Sequence, residues 1–138
     1  MRNPKLSTAT LAIGLAMTGG LLMAPAAHAA DAASLKAGYS AQAGAPADAA
    51  RGQRLFTTPH GGQWSCASCH NAMPTQPGKH ASTGKPIAAL APAFNPERFT
   101  DAAKAEKWFR RNCKDVLSRE CSPAEKADVM AWLLTLKP

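Results

Sequence analysis

Residues 66–70 read Cys66-Ala67-Ser68-Cys69-His70. C-x-x-C-H is the attachment pattern of c-type haem. Two thiols at this spacing can each add to one vinyl group of the same macrocycle, and the adjacent histidine is then held beneath the iron as its proximal ligand. A thioredoxin-like redox pair would need a strand leading into the motif, and no strand pattern precedes Trp64. A zinc site would need two further ligands at metal-binding spacing, and Cys113 and Cys121 form no second C-x-x-C. One motif specifies one haem c, bound by Cys66 and Cys69, with His70 on the iron.

Cys113 and Cys121 remain, eight residues apart. In an oxidising compartment they are expected to pair as a disulfide. Closing so short a loop contributes at most roughly 2–3 kcal/mol of chain entropy, so its role is local: it pins the segment between two helices.

An electron-transfer cytochrome usually takes Met or His as sixth ligand. Met73 follows His70 by three residues and is tethered to the proximal side. Met130 lies in an apolar helix and reads as core filler. His60 precedes the motif and reads as exposed, and His28 falls in the leading segment discussed below. His80, in a loop rich in Pro and Gly, stands as an alternative distal ligand. Asn112 has two readings: an asparagine closing a helix, or a distal ligand at the end of an apolar stripe beside Cys113.

Three helices must position these groups. Asp48 to Phe56 reads as a helix capped by Asp48, with Gly52 and Phe56 on one face. Ser122-Pro123-Ala124-Glu125 is a capping box with Pro at the first helical position. The helix it opens runs to about Leu136, with Val129, Trp132, Leu133 and Leu136 on its apolar face. A third helix is expected from Asp101 to about Asn112, capped by Thr100. Ala105, Trp108, Phe109 and Asn112 form its stripe, with Trp108 and Phe109 assigned to the haem pocket. Lys104, Lys107, Arg110 and Arg111 lie on the opposite face. Residues 74–96 hold seven Pro and Gly and read as an irregular loop along the haem edge. Residues 30–46 form an Ala- and Gly-rich lead segment ahead of the domain at 47–138, with a short helix expected from Ser34 to Gln42. There are no internal repeats.

The chain has 138 residues, 46% of them hydrophobic and 18% charged, which excludes whole-chain disorder. Arg2 and Lys5, an apolar run from Leu6 to Met23, and Ala27-His28-Ala29 make a secretory signal peptide over residues 1–29. Export to the periplasm suits haem attachment, and no other segment reaches the roughly 20 apolar residues of a membrane span. Cleavage after Ala29 leaves 109 residues. Loss of two of the 16 basic groups leaves 14 against nine acids, a net charge of +5. Such a charge can steer an acidic partner. Nucleic acid is the weaker partner, because no nucleic-acid motif is present.

Gly52 and Phe56 ahead of C-x-x-C-H, and a second helix near the C-terminus, resemble the crossing helices of class I cytochromes c, an all-α fold wrapped around one covalent haem. Pro92-Ala93-Phe94-Asn95-Pro96-Glu97-Arg98-Phe99-Thr100, Glu106-Lys107-Trp108-Phe109-Arg110-Arg111-Asn112-Cys113 and Glu120-Cys121 resemble the SHP (sphaeroides haem protein) family of monohaem c-type cytochromes. The resemblance covers about residues 45–138. It implies Asn112 as sixth ligand in the oxidised state, with the Cys113–Cys121 disulfide beside it. It implies loss of that ligand on reduction and binding of oxygen or nitric oxide. It implies a dihaem cytochrome c or a membrane cytochrome b as redox partner.

Three functions are therefore weighed: a periplasmic binder of diatomic ligands, a plain electron carrier with a strong sixth ligand at His80, and a haem enzyme. The sequence offers no distal acid–base pair for the third, and no catalytic residue is assigned.

Overall fold

The computed structural model describes residues 31–138, and the signal peptide read over residues 1–29 lies outside them. The chain order is α1 (Ala32–Ala43), α2 (Ala49–Thr57), α3 (Ala67–His70), β1 (Gly78–Lys79), β2 (Pro86–Ile87), α4 (Ala102–Leu117) and α5 (Pro123–Thr135). The expected all-α class holds; the only ladder among the described residues is the two-residue antiparallel pair of β1 and β2, with Gly78 opposite Ile87 and Lys79 opposite Pro86.

Capping side chains set where the helices begin. Asp31, Asp48, Asp101 and Ser122 each accept a backbone N–H three residues on, satisfying a donor that the first turn leaves free. At α5 the bond is reciprocal: Glu125 accepts the Ser122 N–H at 2.8 Å and also takes the Arg119 guanidinium. Those interactions hold its carboxyl down at about 2, the Arg119 hydrogen bond being the largest cause.

Two expectations about α4 are corrected. Its cap is Asp101, not Thr100, whose hydroxyl instead donates to the Glu97 carbonyl at 3.0 Å. The helix also runs five residues past Asn112, to Leu117, where Ser118 turns into the left-handed region at φ 56°. Nothing between Asn112 and Ser118 breaks a helix, and Val116 continues the buried stripe.

Helices α2 and α5 cross at Gly52. A Cβ there would overlap the Asp128 carbonyl and crowd the Val129 nitrogen at 2.7 Å. Asp128, 5% exposed, locks the crossing. Its carboxylate accepts the Asp48 N–H at 2.6 Å and the Arg51 Nε and Nη2 at 2.7 and 2.9 Å. Beside it Phe56, Ala91, Val129, Trp132, Leu133 and Leu136 form the main core. Helix α1 joins the same body: Ala32 and Tyr39 pack on Ala127 and Met130 of α5. The segment read as a lead ahead of residue 47 thus supplies a second core, and its helix is longer than Ser34 to Gln42 at both ends. Met130 is the core filler expected of it, with no exposed surface.

Because the atoms facing Gly52 are backbone, they cannot yield as a side chain could. Gly52→Ala is expected to lower stability by about 3 kcal/mol, the upper end of overpacking penalties, read as a shift of the urea midpoint of the haem-loaded protein. A midpoint equal to the parent's would mean that α2 and α5 do not approach this closely.

Candidate functional site

The attachment motif folds as one helical turn. The Cys66 carbonyl accepts the N–H groups of Cys69 at 3.2 Å and His70 at 3.1 Å. Residues three and four apart share a face, so the turn brings Cys66, Cys69 and His70 to one side. Asn71 then leaves the helix at φ 66°, and its side-chain amide donates to the Pro77 carbonyl at 3.2 Å.

All three residues line a cavity of about 860 Å³, within the roughly 300–1,000 Å³ typical of cofactor pockets. Phe56 and Leu133 form part of its apolar wall, and α4 forms another. The segment read as an irregular loop does run along this cavity, from His80 to Leu90, and it is tied down rather than loose. The Pro74 carbonyl accepts the N–H groups of Leu90 and Ala91, both at 3.0 Å. Arg98 donates to the carbonyls of Ala89 at 3.0 Å and Ala88 at 2.8 Å.

His70 has the properties of a metal ligand. Its Nδ1 is buried without a hydrogen-bond partner. Burial, reinforced by the positive charge of Arg98, pushes its pKa down to about 4, so the ring is neutral at physiological pH and keeps a lone pair for iron. The donor set is two thiols and a neutral imidazole on one face of a turn, facing a largely apolar cavity of cofactor size. This arrangement fits one haem c held by thioethers to Cys66 and Cys69 and by His70 on the iron. Among the described residues no cluster of three His, Cys, Asp or Glu could hold a metal by itself.

Asn112 lines the same cavity as His70, half-buried, and its side-chain amide has no hydrogen-bond partner among the described residues. Its place in the middle of α4 removes the reading of a helix-ending asparagine. Cys113 and Cys121 are disulfide-bonded, with their Cα atoms 5.6 Å apart. Trp108 and Phe109 both line the cavity, with different roles. Phe109 reaches back into the core and meets the Tyr39 ring edge-on at 5.7 Å. Trp108 stays 44% exposed, with the Arg111 guanidinium 5.7 Å from its ring centroid.

The other candidates differ in their surroundings. Met73 is 51% exposed and does not line the cavity. His60 is exposed, with Nε2 2.8 Å from the Leu55 carbonyl oxygen. His80 does line the cavity, with its Nδ1 3.3 Å from the Thr83 nitrogen and 3.2 Å from the Ser82 hydroxyl, and it stands as the alternative distal ligand. Arg98 and Val116 line the cavity without having been singled out in the sequence. Val116, four residues beyond Asn112, extends the helical stripe and was findable by periodicity. Arg98 lies in an aperiodic segment that carries no such signal.

Comparison with known proteins agrees with this geometry. Residues 42–133 match the family described as a domain of unknown function (DUF1924). Cytochrome c-type protein SHP of Cereibacter sphaeroides is 55% identical over 105 residues, covering 73% of this chain and 81% of that protein. The structure of oxidized SHP, described as an oxygen-binding cytochrome c, matches with a TM-score of 0.73 at 50% identity, over 78% of this chain and 98% of that one. The crystal structure of oxidized cytochrome c'' from Methylophilus methylotrophus matches with a TM-score of 0.68 at 38% identity, over 78% of this chain and 95% of that one.

Thioether attachment has a direct chemical readout. Haem is expected to stay with the polypeptide through acidified-ketone extraction, and to be released from the double variant Cys66→Ser, Cys69→Ser. Release from the parent would show that the cofactor is not covalently bound.

Proposed function

This chain belongs to the SHP family of monohaem c-type cytochromes, and on that premise we propose that it binds small diatomic ligands, oxygen foremost, after Asn112 gives way on reduction. The observation that carries the proposal is the half-buried, unpartnered Asn112 amide in the wall of the cavity that His70 lines. A relative of similar fold is described as oxygen-binding, which supports the same reading.

The haem c supplies an iron that changes between ferric and ferrous states and, when ferrous, takes up diatomic gases. The chain supplies the selectivity. His70, neutral and with its Nδ1 buried, would be the permanent ligand. Asn112 offers a neutral amide oxygen, a hard and weak donor that suits ferric iron better than ferrous. Reduction therefore weakens its hold more than it would weaken that of a Met or His. The Cys113–Cys121 bond fixes the neighbouring backbone, so departure of Asn112 is a side-chain movement of limited reach. Phe56, Phe109 and Leu133 give the cavity apolar walls.

We place the mature protein in the periplasm, released from its signal peptide over residues 1–29. Among the described residues no helix is long and apolar enough to cross a membrane. Its reductant is a dihaem cytochrome c or a membrane cytochrome b, docking through an acidic surface on Lys104, Lys107, Arg110 and Arg111, all exposed on α4. Lys104 and Arg111 also stand at the cavity wall, which brings such a partner close to the haem.

Two measurements test this. The ferric parent should be low-spin, and on anaerobic reduction it should turn high-spin and bind carbon monoxide or nitric oxide at once; Asn112→Val should leave a ferric form that is high-spin or water-bound. A low-spin ferric spectrum unchanged in Asn112→Val would rule out Asn112 as the ligand. For docking, the rate of reduction by an acidic partner should fall steeply as ionic strength rises. A rate insensitive to salt would remove the basic face from the account.

A further inference from the structure

Helix α4 carries Asn112, and few polar groups tie it to the rest of the molecule. Among the described residues Glu106 is the one residue of α4 whose side chain hydrogen-bonds another helix. Its carboxylate accepts Lys126 Nζ of α5 at 2.6 Å and the Tyr39 hydroxyl of α1 at 3.1 Å. Both partners are buried, Lys126 at 8% and Tyr39 at 6% exposure. The ammonium also lies 5.4 Å from the centroid of the Tyr39 ring. Lys126 is the main cause that holds the Glu106 carboxyl below its usual range, so the cluster is an ion pair with a phenol bridging to it.

The cluster is geometrically coupled to Asn112. Glu106, Phe109 and Asn112 follow at three-residue steps, each turning the helix by about 60° short of a full circle. Glu106 therefore faces α1 and α5, Phe109 meets the edge of the Tyr39 ring, and Asn112 reaches the cavity about 9 Å further along the axis. Beyond Asn112 the disulfide fastens the helix a second time. The chain turns through left-handed residues just ahead of its cap, at Phe99 with φ 63°, and at its end, at Ser118 with φ 56°, conformations a β-carbon disfavours and that persist only when the surroundings enforce them.

We propose that Glu106 is the positioning residue of the sixth-ligand site. By latching α4 to α1 and α5 through Tyr39 and Lys126, it fixes where Asn112 stands in the cavity wall, and so sets how readily that ligand yields on reduction. The inference rests on the Asn112 reading above. A weak amide donor has little bond strength with which to correct a misplaced helix, so its occupancy depends on the latch more than that of an imidazole would.

The test uses the haem-loaded protein and four variants: Tyr39→Phe, Glu106→Gln, Asn112→Val and Arg51→Gln. Tyr39→Phe removes a single hydroxyl and leaves the Glu106–Lys126 pair in place; should Glu106→Gln not fold, it decides alone. Each latch variant is expected to raise the ferric high-spin to low-spin ratio roughly fivefold, the scale of one net hydrogen bond. Carbon monoxide should bind the ferrous form faster, and amide exchange should quicken in α4 relative to α5. Arg51→Gln, which loosens the α2–α5 crossing and leaves the polar contacts of α4 in place, should lower the melting temperature without quickening amide exchange in α4 relative to α5. If Tyr39→Phe and Glu106→Gln keep the parent's spin ratio and carbon monoxide rate while Asn112→Val differs, the latch is overturned and the Asn112 reading stands. If Asn112→Val itself matches the parent, the Asn112 reading fails and the latch falls with it.

Discussion

The approach of α2 to α5 at Gly52 is the constraint on which the rest of the structure depends. It brings one backbone against another, with no side chain between them to adapt. The buried Asp128 then fixes the angle by binding the Asp48 N–H and the Arg51 fork together. Asp128 is buried but the Arg51 side chain is half-exposed, so solvent screens the pair and its contribution falls below that of a fully buried ion pair. With the crossing set, Phe56 comes against Trp132 at 4.9 Å and against His70 at 6.2 Å between ring centroids. The same contact that closes the core therefore seats the proximal histidine. Fold and site are not separable layers in a domain this small.

The helices that cross were legible in the sequence because each is announced locally. Asp48 and the Ser122-Pro123-Ala124-Glu125 box mark starts by satisfying orphaned N–H groups, and Gly52 with Phe56 marks a face. The C-x-x-C-H motif was legible because its chemistry needs adjacent residues. The extent of α4 was not, since Asn112 breaks the apolar pattern and reads as a stop. In the structure it is a polar residue set into an apolar wall, with Val116 resuming the stripe one turn later. Such an interruption inside a helix is where a binding site departs from the rules of packing. The Tyr39–Glu106–Lys126 cluster was equally hidden. Its members are 67 and 20 residues apart in sequence from the carboxylate they share, and only the docking of α1 and α4 on α5 brings them together.

The charges divide by environment rather than by number. Lys104, Lys107, Arg110 and Arg111 are solvated and remain free to meet a partner. Lys126 and Arg98 are drawn inward and are used up by internal acceptors: a carboxylate for the first, two carbonyls for the second. A net charge read from composition counts all six alike, although only the exposed ones project a field that a partner can feel at physiological ionic strength.

The β1–β2 hairpin sits directly on the attachment motif. Gly78 lies so close to the Cys69 carbonyl that a β-carbon would overlap it, and the Ala81 N–H points at Cys69 Sγ at 3.2 Å. Burial also pushes the Cys66 thiol up to about 11, which leaves almost none of the thiolate that reacts readily. A finished fold is thus a poor substrate for the machinery that joins thiols to vinyl groups. The geometry favours an order of biogenesis in which haem is stitched to an open chain, and the hairpin then closes over the seam.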